Sequence, residues 1–243
     1  MLYLYCLMDA PQIDLLPYSG IKGRRPFFVK WKDVAAAVSD LESPEIELTS
    51  ESVLSHEGIV EYLFQNHTVL PVRFGSVLSE TREVKHFLER HYNVITKNIE
   101  KVKGKVELGL KVIFKEQEPC PVKAEEAILE ENKTDRISPA KSYLISKLQE
   151  EKKRQYLMEE AGKYIDEIYN TLRSYTTQSC IRKLTTEKMI LNSSYLVRRD
   201  QVAAFTVSVD WLKNKYPFLS FLYSGPWPPY NFVGLEEGTQ QDA

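Results

Sequence analysis

The sequence is poor in the residues that usually build catalytic and metal centres. Its three cysteines, Cys6, Cys120 and Cys180, are odd in number and far apart. They imply no disulfide framework, suit a reducing cytosol, and include no pair at metal-ligand spacing. There is no Walker A sequence, no Gly-x-Gly-x-x-Gly and no Gly-x-Ser-x-Gly elbow. No cofactor, metal or catalytic group is therefore expected. Charge of one sign is also lacking: the formal net charge is -2, with acids and bases intermixed along the chain. That argues against nucleic-acid binding, which needs a concentrated positive field. Arg24-Arg25, Lys152 to Arg154 and Arg198-Arg199 are short enough to be solvated faces. The longest uncharged run, Tyr216 to Leu235, contains Gly225 and four prolines, at 217, 226, 228 and 229. A backbone so interrupted cannot satisfy its own polar groups in lipid, so no membrane span is expected. The apolar start, Met1 to Met8, is short and lacks a basic leader, and reads as a strand.

What is present is α+β patterning. Strands are expected at Leu2 to Leu7 and Val34 to Val38, separated by a basic turn-rich stretch from Gly20 to Pro26. A helix follows from about Glu51 to Asn66, capped by Thr49, Ser50 or Ser52, with Val53, His56, Val60, Leu63 and His67 on one face. Val69-Leu-Pro-Val-Arg-Phe-Gly75 is short and extended, and Pro71 excludes it from a sheet centre. One helix is expected over Glu80 to Val102, capped by Ser79 and ended by Gly104. Lys105 to Lys115 alternates with period two, which buries Val106, Leu108, Leu110, Val112 and Phe114 and leaves the face carrying Glu107 mostly in water.

Glu116 to Ser138 is polar and acidic and reads as a connection. A long helix is expected from Pro139 to Tyr175, with one stripe begun by Ala140, Leu144 and Leu148 and continued by Leu157, Ala161, Ile165, Ile168 and Leu172. Strands near Ile181 to Leu191 and Ser194 to Val197 precede a helix capped by Asp200, whose stripe is Val202, Phe205, Val209, Leu212 and Tyr216. A last strand covers Phe218 to Tyr223, and residues 236–243 form a polar tail. From Gly104 onward the order is βαββαβ, which is ferredoxin-like. The expectation is two α+β domains, 1–103 and 104–225, with 226–243 as a Pro/aromatic segment and tail.

Few residues invite a chemical role. His86 and His91 diverge around a helix; His56 and His67 lie on an apolar face, where a satisfied core histidine is the favoured reading. Arg73, flanked by apolar residues, is expected to be a buried strut rather than an anion or partner contact. A dispersed enzyme site would draw on His56, Arg73 and Glu107. Phe221 to Phe232 holds five aromatics, Phe221, Tyr223, Trp227, Tyr230 and Phe232, with Pro226, Pro228 and Pro229 among them. Such a stiff apolar run is expected to fold back over the body, with docking of a partner as the sharper alternative.

Four stretches carry a resemblance: Val69-Leu-Pro-Val-Arg-Phe-Gly75, Gly104-Lys-Val-Glu-Leu-Gly-Leu-Lys-Val112, Leu191-Asn-Ser-Ser-Tyr-Leu-Val197 and Tyr223-Ser-Gly-Pro-Trp-Pro-Pro-Tyr-Asn-Phe232. Together, and in this order, they resemble signatures of the gas vesicle F/L family. The resemblance implies a two-domain α+β, non-enzymatic assembly protein and minor vesicle component in the cytoplasm. It implies binding of the main gas vesicle shell protein, protection of that protein from aggregation during nucleation, and contact with other accessory proteins. Arg73, Tyr223, Trp227, Pro228, Pro229, Tyr230 and Phe232 are the candidate structural or partner-binding residues.

Overall fold

The computed structural model describes residues 1–12, 16, 18–115, 139–186 and 188–234. The expected connection at 116–138, with Cys120, and the expected polar tail at 236–243 lie outside the described residues. By contact the chain groups into two compact units. Unit 1 comprises Met1–Leu108, Tyr195–Asp200 and Ser224–Ala243; unit 2 comprises Gly109–Ser194 and Gln201–Tyr223.

The first sheet begins with β1 (Leu2–Asp9), β2 (Phe27–Trp31) and β3 (Val34–Asp40), which run in the order β2-β3-β1 and are paired antiparallel. Seven consecutive residues of β1, Leu2 to Met8, are buried, so both its faces are covered. Its register against β3 shifts between Leu4 and Cys6, which makes Tyr5 the extra residue of a bulge. β2 is not among the expected strands; it follows directly on the turn-rich stretch from Gly20 to Pro26. Its pattern is only half-buried, as an edge strand's should be. On the other side of β1, β4 (Val69–Pro71) closes the path, and the two-residue β5 (Val77–Leu78) also pairs with β1. Pro71 thus sits on an edge, where its missing N–H costs no ladder bond.

Helix α1 (Ser50–Asn66) opens with a capping box: Ser52 N–H donates to Thr49 Oγ1 and Thr49 N–H to Ser52 Oγ, both at 3.1 Å. It buries His56, Ile59, Val60, Leu63 and Phe64. The single helix expected over 80–102 is two, α2 (Thr81–Arg90) and α3 (Tyr92–Val102), because His91 leaves helical geometry at φ -101°, ψ 12°. Its ring Nδ1 lies 2.9 Å from the Phe87 carbonyl. Ser79 is not the cap either; Glu83 reaches back and accepts from the Ser79 N–H and hydroxyl at 2.5 and 2.6 Å.

The second sheet has the order β7-β8-β6-β9, formed by β6 (Lys105–Phe114), β7 (Gln178–Ile181), β8 (Met189–Arg198) and β9 (Leu219–Trp227). Helix α4 (Pro139–Arg173) joins β6 to β7 while β8 lies between them; helix α5 (Val202–Lys215) joins β8 to β9 while β6 lies between them. This interleaving is that of a split βαβ arrangement. β7 is shorter and earlier than the expected strand at 181–191, and Met189 and Ile190 belong to β8. Asp200 does not cap α5: it sits in a 3-10 turn, Arg199–Gln201, and accepts from Arg198 Nε and Nη2 at 3.1 and 2.5 Å. The later part of the α4 stripe is buried at Ala161, Ile168 and Leu172, whereas Leu144 and Leu148 face water. In unit 2, α4 and α5 are tied by Tyr216 Oη donating to Glu167 Oε2 and by Lys215 pairing with Glu167.

Candidate functional site

The C-terminal motif folds over unit 1 as a strap. β9 ends at Trp227, and Phe232 N–H donates to the Pro229 carbonyl at 3.2 Å, which closes a turn over Pro229–Phe232. Within that turn the Asn231 N–H is directed at β6. Glu107 receives it at 2.8 Å through Oε2, and its Oε1 accepts from Asn231 Nδ2. Glu107 is only 5% exposed, so the expected solvated face of β6 is interrupted here. A buried carboxylate needs donors, and Asn231 supplies two.

Three more contacts hold the strap. Tyr230 Oη donates to Glu57 of α1 at 3.0 Å. Lys101 Nζ donates to the Phe232 carbonyl at 2.7 Å, and Asn98 Nδ2 to the Gly234 carbonyl at 2.8 Å, both from α3. Pro228, Pro229 and Phe232 are buried beneath these contacts. Burial, then the Glu57 charge, pushes the Tyr230 phenol above its ordinary range. Gly225, at φ +115°, lets the chain enter the strap. A Cβ there would stand 2.8 Å from the Glu107 carbonyl oxygen.

Under the same unit lies a buried polar and aromatic cluster. Tyr3 Oη is 2.7 Å from His56 Nδ1 and accepts from the Gly75 N–H at 3.3 Å. In the tautomer that carries the ring proton on Nε2, Tyr3 donates to Nδ1; in the other, Nδ1–H donates to Tyr3 Oη. Nε2 faces the backbone of Val72 but has no hydrogen-bond partner of good geometry. The Tyr3, Tyr5 and Phe74 rings surround His56, with centroids 5.6, 5.8 and 5.9 Å from it. Burial holds the imidazole down at a pKa of about 4, so it is neutral near pH 7. Tyr5 Oη accepts from the Ile21 N–H at 2.8 Å and meets Ser39 Oγ at 2.9 Å.

The residues singled out in the sequence fall into different settings. Pro228, Pro229, Tyr230 and Phe232 come together in the strap, while Trp227 at its entrance stays 47% exposed. Tyr223 belongs to unit 2, where it stacks on Phe205 at 6.0 Å and meets Thr206 Oγ1 at 3.2 Å. Arg73 is not a buried strut: β4 stops at Pro71 and the following turn carries Arg73 outward, exposed. His56 and Glu107 are both closed to a substrate and used internally, which removes two of the three residues of a dispersed enzyme site. Asn231, Glu57 and Lys101 escaped sequence reasoning, and Glu107 entered it only as a member of a dispersed enzyme site, not as the anchor of the strap. A lone acid at an alternating position looks the same whether water or an asparagine receives it. Among the described residues, no group of three or more His, Cys, Asp or Glu side chains could hold a metal ion.

Among the described residues, two sheets, five α-helices and a terminal strap clasped by a buried carboxylate define a mixed α+β protein whose buried polar groups hold its own segments together. Residues 1–234 match the family described as Gas vesicle synthesis protein GvpL/GvpF, and the chain belongs to that family. Gas vesicle protein F1 of Halobacterium salinarum is 28% identical over 244 residues, covering 99% of this chain and 96% of the relative. Gas vesicle protein F of Haloferax mediterranei is 26% identical over 245 residues, with 99% and 96% covered. The crystal structure of GvpF from Anabaena sp. PCC7120 superposes with a TM-score of 0.77 at 20% identity, covering 96% of this chain and 98% of that one, and so shares its fold. No helix among the described residues is long and apolar enough to cross a membrane.

Proposed function

We propose that this chain is a minor, non-enzymatic gas vesicle component in the cytoplasm that binds the main shell protein and keeps it from aggregating while a vesicle is nucleated. The observation that carries this reading is the family match, which runs across both units rather than one of them. A gas-enclosing wall needs subunits with a very apolar face, and such a face requires a covering partner until it is built in. Unit 2 offers apolar side chains for that purpose. Tyr143, Leu144 and Leu148 on α4 are each more than 60% exposed, and Val207 and Trp211 lie one turn apart on the outer face of α5. Contacts with other accessory proteins belong to the same reading.

Co-expression tests it. With the full chain present, the main shell protein should remain in the supernatant after high-speed centrifugation and co-purify with the chain. If the shell protein pellets equally with and without it, the reading fails.

A further inference from the structure

A cleft of about 570 Å³ opens in unit 1 beside the start of α1. It is lined by the loop Ser19–Gly23, by the stretch between Ser43 and Thr49, and by Glu51, Ser52 and Ser55 of α1. Acids and bases are not intermixed here. Between Lys32 and Arg73 the chain has no lysine or arginine and eight carboxylates. The lining itself carries Glu45, Glu47 and Glu51 against one lysine, Lys22, whose ammonium already donates to the Glu45 carbonyl at 3.0 Å.

The surface beside the cleft is not purely polar. Leu48 is 78% and Leu54 70% exposed. On α1, Glu51, Leu54, Gly58 and Glu61 recur at intervals of three, four and three and are all exposed, so they form one outward face. Gly58 is the unexplained member. Glycine weakens a helix interior, yet a Cβ at Gly58 would meet nothing within 4 Å. The fold does not ask for glycine there. A chain lying closely across the helix would.

We propose that this cleft and the outer face of α1 dock a cationic amphipathic segment of a partner protein. Its lysines or arginines would meet Glu47 and Glu51, its apolar side chains would cover Leu48 and Leu54, and its backbone would pass over Gly58. Charge complementarity selects this occupant: an acidic segment would meet carboxylates, and an uncharged one would leave them unmatched. The surface is separate from the exposed side chains of unit 2, and its occupation does not depend on shell-protein binding.

The test uses the full chain and two labelled 14-residue peptides of the same amphipathic pattern, one Leu/Lys and one Leu/Glu, followed by fluorescence anisotropy. The Leu/Lys peptide should bind and the Leu/Glu peptide should not. Glu47→Lys with Glu51→Lys should weaken binding by roughly tenfold or more, whereas Glu89→Lys with Glu100→Lys, on α2 and α3, should change it by less than about twofold. Gly58→Leu replaces glycine with a better helix former, so it should keep or raise the melting temperature while weakening binding several-fold. Equal losses from the two charge-reversed pairs would reduce the effect to general electrostatics and overturn the proposal. So would a Gly58→Leu protein that binds the Leu/Lys peptide as well as the parent chain.

Discussion

Asn231 holds both oxygens of Glu107, one through its backbone N–H at 2.8 Å and the other through its side-chain amide. One residue of the strap thereby gives each oxygen of a carboxylate that β6 buries a donor. Asn231→Ala should lower stability by about 1–3 kcal/mol, because one oxygen of a buried carboxylate loses its donor. Urea unfolding measures this, and amide exchange should show the loss first over residues 228–234. Unchanged protection there would mean that the fork does not hold the strap.

Tyr230→Phe keeps the ring and removes only the bond to Glu57. It should cost about 1–2 kcal/mol in urea unfolding. A Glu57→Gln, Tyr230→Phe double-mutant cycle separates that bond from the packing of the ring.

Burial of neutral His56 makes stability depend on pH in a defined direction. The folded-state pKa of about 4 lies below the unfolded value near 6.5, so the unfolded chain takes up a proton first as pH falls. The contribution is fully present above pH 6.5 and is lost between about 6.5 and 4, on the order of 3 kcal/mol in all. His56→Gln should flatten the slope of unfolding free energy in that window. A parent chain whose stability is level from pH 7 to 4.5 would contradict the assignment.

Gly20 is required by contact, not by backbone freedom, since its φ is an ordinary -95°. A Cβ would lie 2.0 Å from Tyr5 Oη. Gly20→Ala should therefore displace the Tyr5 hydroxyl from Ile21 and Ser39 and cost roughly 1–3 kcal/mol. Pairing it with Tyr5→Phe, which removes the clashing oxygen, should recover part of the loss in thermal melts.

Arg73→Met, at an exposed position, should change stability by no more than about 0.5 kcal/mol. The sequence alone suggests the opposite, that the N-terminal half would unfold. Thermal melts of the two proteins decide between these outcomes.

The regular elements were legible because burial imposes period. The alternation in β6 and the three- and four-residue spacing of Phe205, Val209 and Leu212 in α5 read directly as one buried face each. The split order of the second sheet followed from the succession of those elements. What escaped has two causes, weak or absent local pattern and partners distant in sequence. β2 is half-buried and has no strong period; the break at His91 and the outward turn at Arg73 are local backbone events that apolar spacing does not encode. The strap was expected to fold back, and its prolines and Phe232 do so. Its anchor, Glu107, is 124 residues from Asn231, and nothing in either neighbourhood marks the pairing.

Binding of the shell protein is tested most directly with purified components. Denatured main shell protein diluted into buffer scatters light as it aggregates, and the full chain can be added before dilution. Suppression of scattering that saturates near a fixed stoichiometry, with a complex recovered by size-exclusion chromatography, is the predicted result. Scattering unaffected by a large molar excess of folded chain, with no complex recovered, would contradict it.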